Sequence, residues 1–231
     1  MQARARATTL GAVLAGGRSS RFGAPKPLAD FLGEALVARA LDALTPVCAE
    51  CVVVTHLPEI GIALGARTLT DRVIGAGPLG GLHAALRDAR ARGHEGVLLL
   101  GCDTPLVPSA LLALVADEAR ARAALAAAPS AGPKGVQPLC AWYSVACLDE
   151  VEARLGAAHG DRSLRGLLAA VDAHLLADDR LCSLCDPDVV FRGANTPGEL
   201  CALEAIVQER SCPTFRSPPR PFSSSQSASP S

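Results

Sequence analysis

The fold is decided by the stretch TLGAVLAGGRSSRFGAPK, residues 9–26. Its first six residues, Thr9–Leu14, are mostly apolar and rich in β-formers, which predicts a short buried strand. The chain then passes directly into a loop of glycine, serine and basic side chains. Because glycine lets backbone amides approach an anion closely, a loop of this kind after a strand is typical of a phosphate-binding site.

The side chains of this loop suit a phosphate group. Gly16 and Gly17 offer backbone amides, Ser19 adds a hydroxyl donor, and Arg21 and Lys26 add positive charge. The Gly-Lys-Ser/Thr of a Walker A loop is absent. The chain has 20 arginines but two lysines, so a lysine here indicates a need for a compact ammonium group. The competing interpretation is a glycine-rich surface turn with solvated charges.

Outward from this stretch, strand-like runs alternate with helical patterns. Further strands are predicted at Cys51–Thr55, Gly96–Leu100 and Val136–Tyr143. Helices are predicted at Glu34–Leu44, Leu79–Arg92, Pro108–Arg120, Val145–Leu155, Ser163–Val171 and Pro197–Gln208. This order indicates βαβ units, and therefore an α/β fold with a mostly parallel, twisted sheet and helices on both faces.

Composition limits the class of protein. The 231 residues are 49% hydrophobic but 3% aromatic, so we expect one domain, residues 1–210, with a core of Ala, Leu and Val. Residues 211–231 contain five prolines and eight serines, which predicts a disordered tail. A net charge of −1 argues against nucleic acid or an anionic membrane as partner. With neither a signal peptide nor a membrane-length apolar run, we expect a cytoplasmic protein.

A second motif, LLLGCDTP, places a carboxylate at the end of an apolar strand. In open α/β sheets, ligands bind at the carboxyl ends of the strands, where Asp103 follows its strand. Mg²⁺ takes one or two carboxylates and fills its remaining positions with phosphates and water. Asp103 therefore fits a magnesium site, whereas an aspartate that caps a helix is the alternative interpretation.

A third motif, Asp71 followed by GAGPLGG at residues 75–81, contains a literal GxGxxG. A dinucleotide-binding loop needs a buried strand just before it and an acidic residue about 20 positions later. The preceding residues 70–73 are polar, and the downstream acids Asp88 and Glu95 do not fit. The sequence therefore favours a glycine turn into a helix that forms a wall of a nucleotide pocket.

The remaining metal-ligating and basic residues give weaker indications. Two CxxC pairs, residues 48–51 and 182–185, offer four thiolates to zinc, but cysteines in apolar runs of a reduced protein favour packing. The five histidines form no HxxxH or HExxH pattern and are assigned no chemistry. Lys134 and Arg162 are candidates to meet an anionic substrate, although solvated loop charges are the commoner case.

Taken together, these stretches resemble small nucleotidyltransferases, and among them the molybdenum cofactor guanylyltransferase family. The loop matches the pattern LAGG-x-S-x-R-x-G-x-x-K. Four later stretches follow in the expected order, namely GPLGG at 77–81, CDTP at 102–105, QPL at 137–139, and NTP with EL at 195–200. The resemblance covers residues 9–208, and Gly17 in LAGG, rather than LAAG, favours guanine.

The resemblance implies a three-layer α/β/α, Rossmann-like nucleotidyltransferase fold that binds GTP and Mg²⁺. The phosphate of molybdopterin would attack the α-phosphorus of GTP and release pyrophosphate, and molybdoenzyme maturation proteins are further expected partners. Catalytic roles would fall to Arg21, Lys26 and Asp103, with the metal on Asp103. Nucleotide contacts would come from Leu14, Ala15, Gly16, Gly17, Ser19, Lys26, Thr55, Asp71, Gly77 and Asp103. The acceptor would meet Gln137 and Asn195.

Two positions depart from the family pattern. Thr55 stands where the family often has an asparagine at the nucleotide. Gly193 stands where the family often has the first asparagine of Asn-x-Asn-Thr-Pro, so that Asn195 remains alone. The second departure leaves the acceptor open.

Other activities also remain open at this point. The nearest is a cytidylyltransferase acting on the same cofactor, or an enzyme that activates a sugar or cobamide phosphate. A non-catalytic maturation factor that carries a nucleotide or cofactor is a different class, and a dehydrogenase is a third. Lys26 together with Asp103 favours catalysis.

Overall fold

The structure is a computed structural model that describes residues 8–16, 25–71, 73, 75–157 and 160–211. Its strands are β1 (Thr9–Leu14), β2 (Asp30–Phe31), β3 (Glu34–Ala35), β4 (Glu50–Val54), β5 (Thr68–Leu69), β6 (Gly96–Gly101), β7 (Ala126–Pro129), β8 (Cys140–Ser144) and β9 (His174–Leu176). Its α-helices are α1 (Leu36–Leu44), α2 (Pro58–Leu64), α3 (Gly77–Ala91), α4 (Ser109–Ala121), α5 (Leu148–Gly156), α6 (Leu164–Ala170), α7 (Asp178–Leu181), α8 (Pro187–Val190) and α9 (Pro197–Ser211).

A seven-stranded sheet forms the centre of the described residues, in the order β5-β4-β1-β6-β8-β7-β9. The strands from β5 to β6 are parallel to their neighbours. β8 is antiparallel to both β6 and β7, and β9 pairs in parallel with β7. Since β8 alone among these seven strands runs against the others, the expectation of a mostly parallel sheet is confirmed.

Helices cover both faces of this sheet, as expected for three layers. Successive residues of a strand point to opposite faces, so Val13 of β1 packs with α1 and α4, whereas Leu10 and Ala12 pack with α3, α5 and α6. Both apolar layers consist chiefly of Ala, Leu and Val, as the scarcity of aromatic residues predicts. These layers fix the strand ends in space, and the site lies at those ends.

The boundaries of two predicted elements were wrong. Glu34 and Ala35 do not begin the helix but pair with β2, because Leu32 and Gly33 have φ of 55° and 87°, which suits a tight hairpin turn. The strand predicted from Val136 begins only at Cys140. Pro138 lies between them, and proline has no amide hydrogen to donate to a neighbouring strand.

The ends of the chain are described only in part. The last helix, α9, extends to Ser211, so the predicted tail lies outside the described residues from position 212 onward. No helix in the described ranges is long and apolar enough to cross a membrane.

Gly96 provides a direct test of how tightly this core is packed. A β-carbon at Gly96 would lie 2.3 Å from the ring of Trp142 and 2.7 Å from the Tyr143 carbonyl oxygen. Because the Tyr143 carbonyl belongs to the backbone of a central strand, Gly96→Ala is expected to lower the free energy of unfolding by about 1 to 3 kcal/mol. Urea unfolding followed by circular dichroism measures this loss.

The matched control is Gly198→Ala in helix α9, where the added methyl group meets no heavy atom within 4 Å. Alanine is a better helix former than glycine, so the control should leave stability unchanged or raise it slightly. Equal stability of the Gly96 variant and the wild type would contradict this description of the core.

Candidate active site

The carboxyl ends of β1 and β6 form a crevice at the switch point of the sheet. The chain leaves β1 toward β4 on one side and later returns to β6 on the other. Leu14 and Gly101 are opposite each other in the strand register, and the Cys102 amide donates to the Leu14 carbonyl at 3.4 Å. Ligands of open α/β sheets bind at such a crevice, so the end of β1 and Asp103 after β6 lie where the sequence predicts a site.

Lys26 and Asp103 meet within this crevice, although 77 positions separate them. The Lys26 ammonium donates to Asn195 Oδ1 at 3.0 Å and lies 3.8 Å from Asp103 Oδ2. The two charged side chains are 18% and 24% exposed, so both reach solvent and a ligand can reach them. The Asp103 side chain lies close to Gly101, because a β-carbon added at Gly101 would be 2.6 Å from Asp103 Oδ1.

Asn195 lies in a segment that is held by hydrogen bonds to β6 and to the start of helix α9. The segment that carries it is tied to β6, because the Ala194 amide donates to the Asp103 carbonyl at 2.8 Å. The backbone amide of Asn195 donates to Glu199 Oε2 at 2.6 Å. The Thr196 hydroxyl caps helix α9 by accepting from the backbone amide of Glu199 at 3.2 Å. Asn195 thus reaches Lys26 from a rigid turn at the start of a helix.

The glycines of the GPLGG motif allow two candidate nucleotide residues to approach helix α3. A β-carbon added at Gly81 would lie 2.7 Å from Leu14 Cδ2, and one added at Gly80 would lie 2.2 Å from Asp71 Oδ2, so both side chains occupy space that only glycine leaves open. Asp71 Oδ1 also accepts from the Val73 amide at 2.8 Å. This close approach explains the small residues, and it favours a pocket wall over a dinucleotide loop.

Gly77 and Gly75 form the turn that leads into this helix. Their φ values are +58° and +76°, a region that residues with a side chain rarely adopt. The contact of Gly77 with a nucleotide stays a prediction, as do those of Ala15 and Gly16 at the end of β1.

Thr55 and Gln137 use their polar groups on the backbone of the site. The Thr55 hydroxyl donates to the Ala15 carbonyl at 3.2 Å and accepts from the Leu57 amide at 3.1 Å. The Gln137 side-chain nitrogen donates to the carbonyls of Ala131 and Gly135 at 2.8 and 2.9 Å. Both residues are buried, so they hold the loops that form the crevice, and their direct ligand contacts stay predictions.

Lys134 and Arg162, two loop cations that the sequence did not distinguish, have different surroundings in the structure. The Arg162 guanidinium donates to the Leu155 and Ala157 carbonyls at the end of α5, a structural role. Lys134 lies at the crevice instead, and its Nζ is 3.6 Å from the place where a β-carbon of Gly193 would be. The sequence offers no local signal that Lys134 and Gly193 are close in space, since 59 positions separate them.

The described cysteines form no group that could hold a metal at the site. Burial, together with the neighbouring Asp103 carboxylate, raises the pKa of Cys102 to about 12, so its thiol stays protonated and is a poor nucleophile. The thiols of Cys48 and Cys51 pack against Gly11 of β1. Within the described ranges, no three His, Cys, Asp or Glu side chains group together to hold a metal, so the two CxxC pairs do not form a four-thiolate site.

Three predicted residues of the loop, Gly17, Ser19 and Arg21, lie outside the described residues.

Comparisons with known proteins agree with this geometry. Residues 11–186 match the family described as MobA-like NTP transferase domain. A probable molybdenum cofactor guanylyltransferase of Pelotomaculum thermopropionicum is 33% identical over 198 residues, 86% of this chain and 93% of that protein. The molybdenum cofactor guanylyltransferase of Desulfosudis oleivorans is 30% identical over 200 residues, 86% and 95% of the two chains.

A solved structure shows the same architecture. The molybdopterin-guanine dinucleotide biosynthesis protein A of Archaeoglobus fulgidus superposes with a TM-score of 0.70 at 25% identity, covering 87% of this chain and 99% of that one. The chain therefore belongs to the MobA-like NTP transferase family of nucleotidyltransferases.

Proposed function

We propose that this protein transfers GMP from GTP to the phosphate of molybdopterin and releases pyrophosphate. One observation carries the proposal: Lys26, Asp103 and Asn195 converge at the switch point of the sheet, directly beside the end of β1. Relatives at 30 to 33% identity over most of the chain are named molybdenum cofactor guanylyltransferases, which supports this choice of nucleotide and acceptor.

The reaction is a displacement at the α-phosphorus of GTP. An oxygen of the acceptor phosphate forms the new bond to phosphorus, and the bond from that phosphorus to the oxygen bridging to the β-phosphate breaks. The electron pair leaves with pyrophosphate. An ionised phosphate is itself the nucleophile, so no side chain has to remove a proton, in agreement with the lack of a catalytic histidine pattern.

Positioning and charge then supply most of the catalysis. Lys26 offsets negative charge on the triphosphate, and Asn195 holds its ammonium in place through the 3.0 Å hydrogen bond. The amides of residues 15–17, with Ser19 and Arg21, complete the phosphate cradle in this proposal. Leu14, Thr55, Asp71 and Gly77 lie around the nucleotide, and Gln137 and Asn195 face the acceptor.

The donor set at Asp103 fits Mg²⁺. A single, partly exposed carboxylate suits a cation that fills most of its coordination positions with phosphate oxygens and water. It does not suit a metal whose ligands all come from the protein. When bound there, Mg²⁺ would neutralise charge that develops on the phosphates. Asp103 would hold the ion, and the Lys26 ammonium, 3.8 Å away, helps to orient the carboxylate.

The experiment is pyrophosphate release from GTP, CTP and ATP with Mg²⁺, each with and without molybdopterin. We expect release with GTP that requires the pterin. Pterin-dependent release with CTP would retain the mechanism but overturn the choice of base. No release with any pair would overturn transfer to this acceptor and favour a carrier role.

A further inference from the structure

The two lysines of the chain lie on the same crevice. Lys26 contacts Asp103 and Asn195, and Lys134 lies near Gly193, beside the same two residues. A β-carbon at Gly193 would lie 3.1 Å from Asn195 Nδ2, 3.6 Å from Lys134 Nζ and 3.8 Å from Asp103 Oδ2. Because Gly193 has no side chain, a small space remains among these three polar groups.

The loop that carries Lys134 is held in place by several hydrogen bonds. Arg165 donates to the Lys134 carbonyl at 2.6 Å and to the Val136 carbonyl at 3.1 Å. Gln137 donates to two further carbonyls of the loop, and Ser130 forms a bridge with Val136 across its base. These contacts hold the backbone of the loop, and the exposed side chain of Lys134 extends from this backbone to the neighbourhood of Gly193.

The two ammonium groups differ in what they already contact. Lys26 is engaged by Asn195 and Asp103. Lys134 has no ion pair or hydrogen bond from its side chain to any residue in the described ranges. An exposed ammonium near this site and without its own counter-ion is available to an incoming anion.

A cavity of about 290 Å³ opens at the same place. Its lining combines the polar or charged residues Lys134, Arg192, Asn195 and Glu199 with the apolar residues Phe191, Leu203 and Ile206, and Gly193 also contributes. A ligand that carries both a phosphate and a ring system matches this mixture of charged and apolar residues. The cavity shares Asn195 with the Lys26 and Asp103 site, whereas Lys26 and Asp103 themselves do not line it.

We propose that Lys134 binds the phosphate of the acceptor in the space beside Gly193 and presents it to the α-phosphorus, while Lys26 serves the triphosphate. This inference rests on the proposed function, because it concerns the second substrate of that reaction. Lys134 thereby selects an anionic acceptor, and the body of that acceptor occupies the cavity against helix α9.

The test compares Lys134→Ala, Lys134→Glu and Lys134→Arg in steady-state kinetics with GTP and molybdopterin. Loss of one charge-assisted contact should raise the KM for molybdopterin by about 10- to 100-fold in the alanine variant, and more in the glutamate variant. The KM for GTP should change by less than about twofold, and arginine should restore most of the affinity because it keeps the charge. An unchanged KM for molybdopterin, or a KM for GTP that rises instead, would overturn the proposal.

Arg90→Ala is the matched control, since it removes one exposed positive charge near the end of α3, at the opposite edge of the sheet. It should leave both KM values unchanged. If the wild type transfers no nucleotide, the proposed function fails, and fluorescence titration of nucleotide-free protein with molybdopterin decides the role of Lys134 separately. Weaker pterin binding by Lys134→Ala than by the wild type would sustain that role, and equal binding would refute it.

Discussion

Asp103→Ala is expected to lower kcat for nucleotidyl transfer by a factor of about 1000 or more, with the fold retained. Asp103 is the carboxylate that follows β6 into the crevice, and it faces the Lys26 ammonium at 3.8 Å. Its loss removes the protein's proposed ligand to Mg²⁺ and the partner that orients Lys26. Steady-state pyrophosphate release over a range of Mg²⁺ concentrations measures the effect, and excess Mg²⁺ should restore little activity.

The control for Asp103 is Asp117→Ala, which removes an equal charge from the exposed side of helix α4. Asp117 contacts Arg120 of the same helix at 3.4 Å and is 60% exposed. This variant should retain wild-type kcat. Fluorescence of the single tryptophan, the buried Trp142, checks that both variants are folded. Folded Asp103→Ala protein with near wild-type turnover would refute the assignment.

Lys26→Ala is expected to lower kcat by about 100- to 1000-fold and to raise the KM for GTP. Its ammonium is fixed by Asn195 at 3.0 Å, so it offsets phosphate charge without having to be ordered first. Lys26→Arg should recover only part of the activity, because a planar guanidinium cannot occupy the place of a compact ammonium between Asn195 and Asp103. Initial rates over a range of GTP concentrations separate the two parameters.

The double variant Lys26→Ala with Asp103→Ala provides an internal check. The two side chains lie 3.8 Å apart and act on the same phosphates, so their effects should be far from additive. If the loss in the double variant equals the product of the two single losses, the two residues act independently and the described geometry does not govern catalysis.

The sequence predicted the parts of the fold that local patterns encode. β1 and β6 are continuous apolar runs, and the residues that follow them mark the site because parallel strands end at one edge. Lys26 and Asp103 were both predicted, although nothing local in the sequence gives their 3.8 Å separation. The helix that begins at Pro197 was also predicted, since Thr196 is a favourable cap.

Other elements depend on tertiary contacts and left no local signal. β7 has the sequence AAAP, which lacks β-branched and aromatic residues and becomes a strand only by pairing with β8 and β9. Gly193 appears in the sequence as a departure from a family pattern. The proximity of Lys134 to Gly193 becomes evident only in the structure, where the loop after β7 lies beside the segment that precedes α9.

The most direct test of the central claim follows the α-phosphate of GTP. The protein is incubated with GTP labelled at the α-phosphorus, Mg²⁺ and molybdopterin, and the products are separated by chromatography. We expect the label to appear as a GMP unit joined to the pterin, in equal amount to the pyrophosphate released. Label recovered as free GMP or GDP, with none joined to the pterin, would contradict guanylyl transfer at this site.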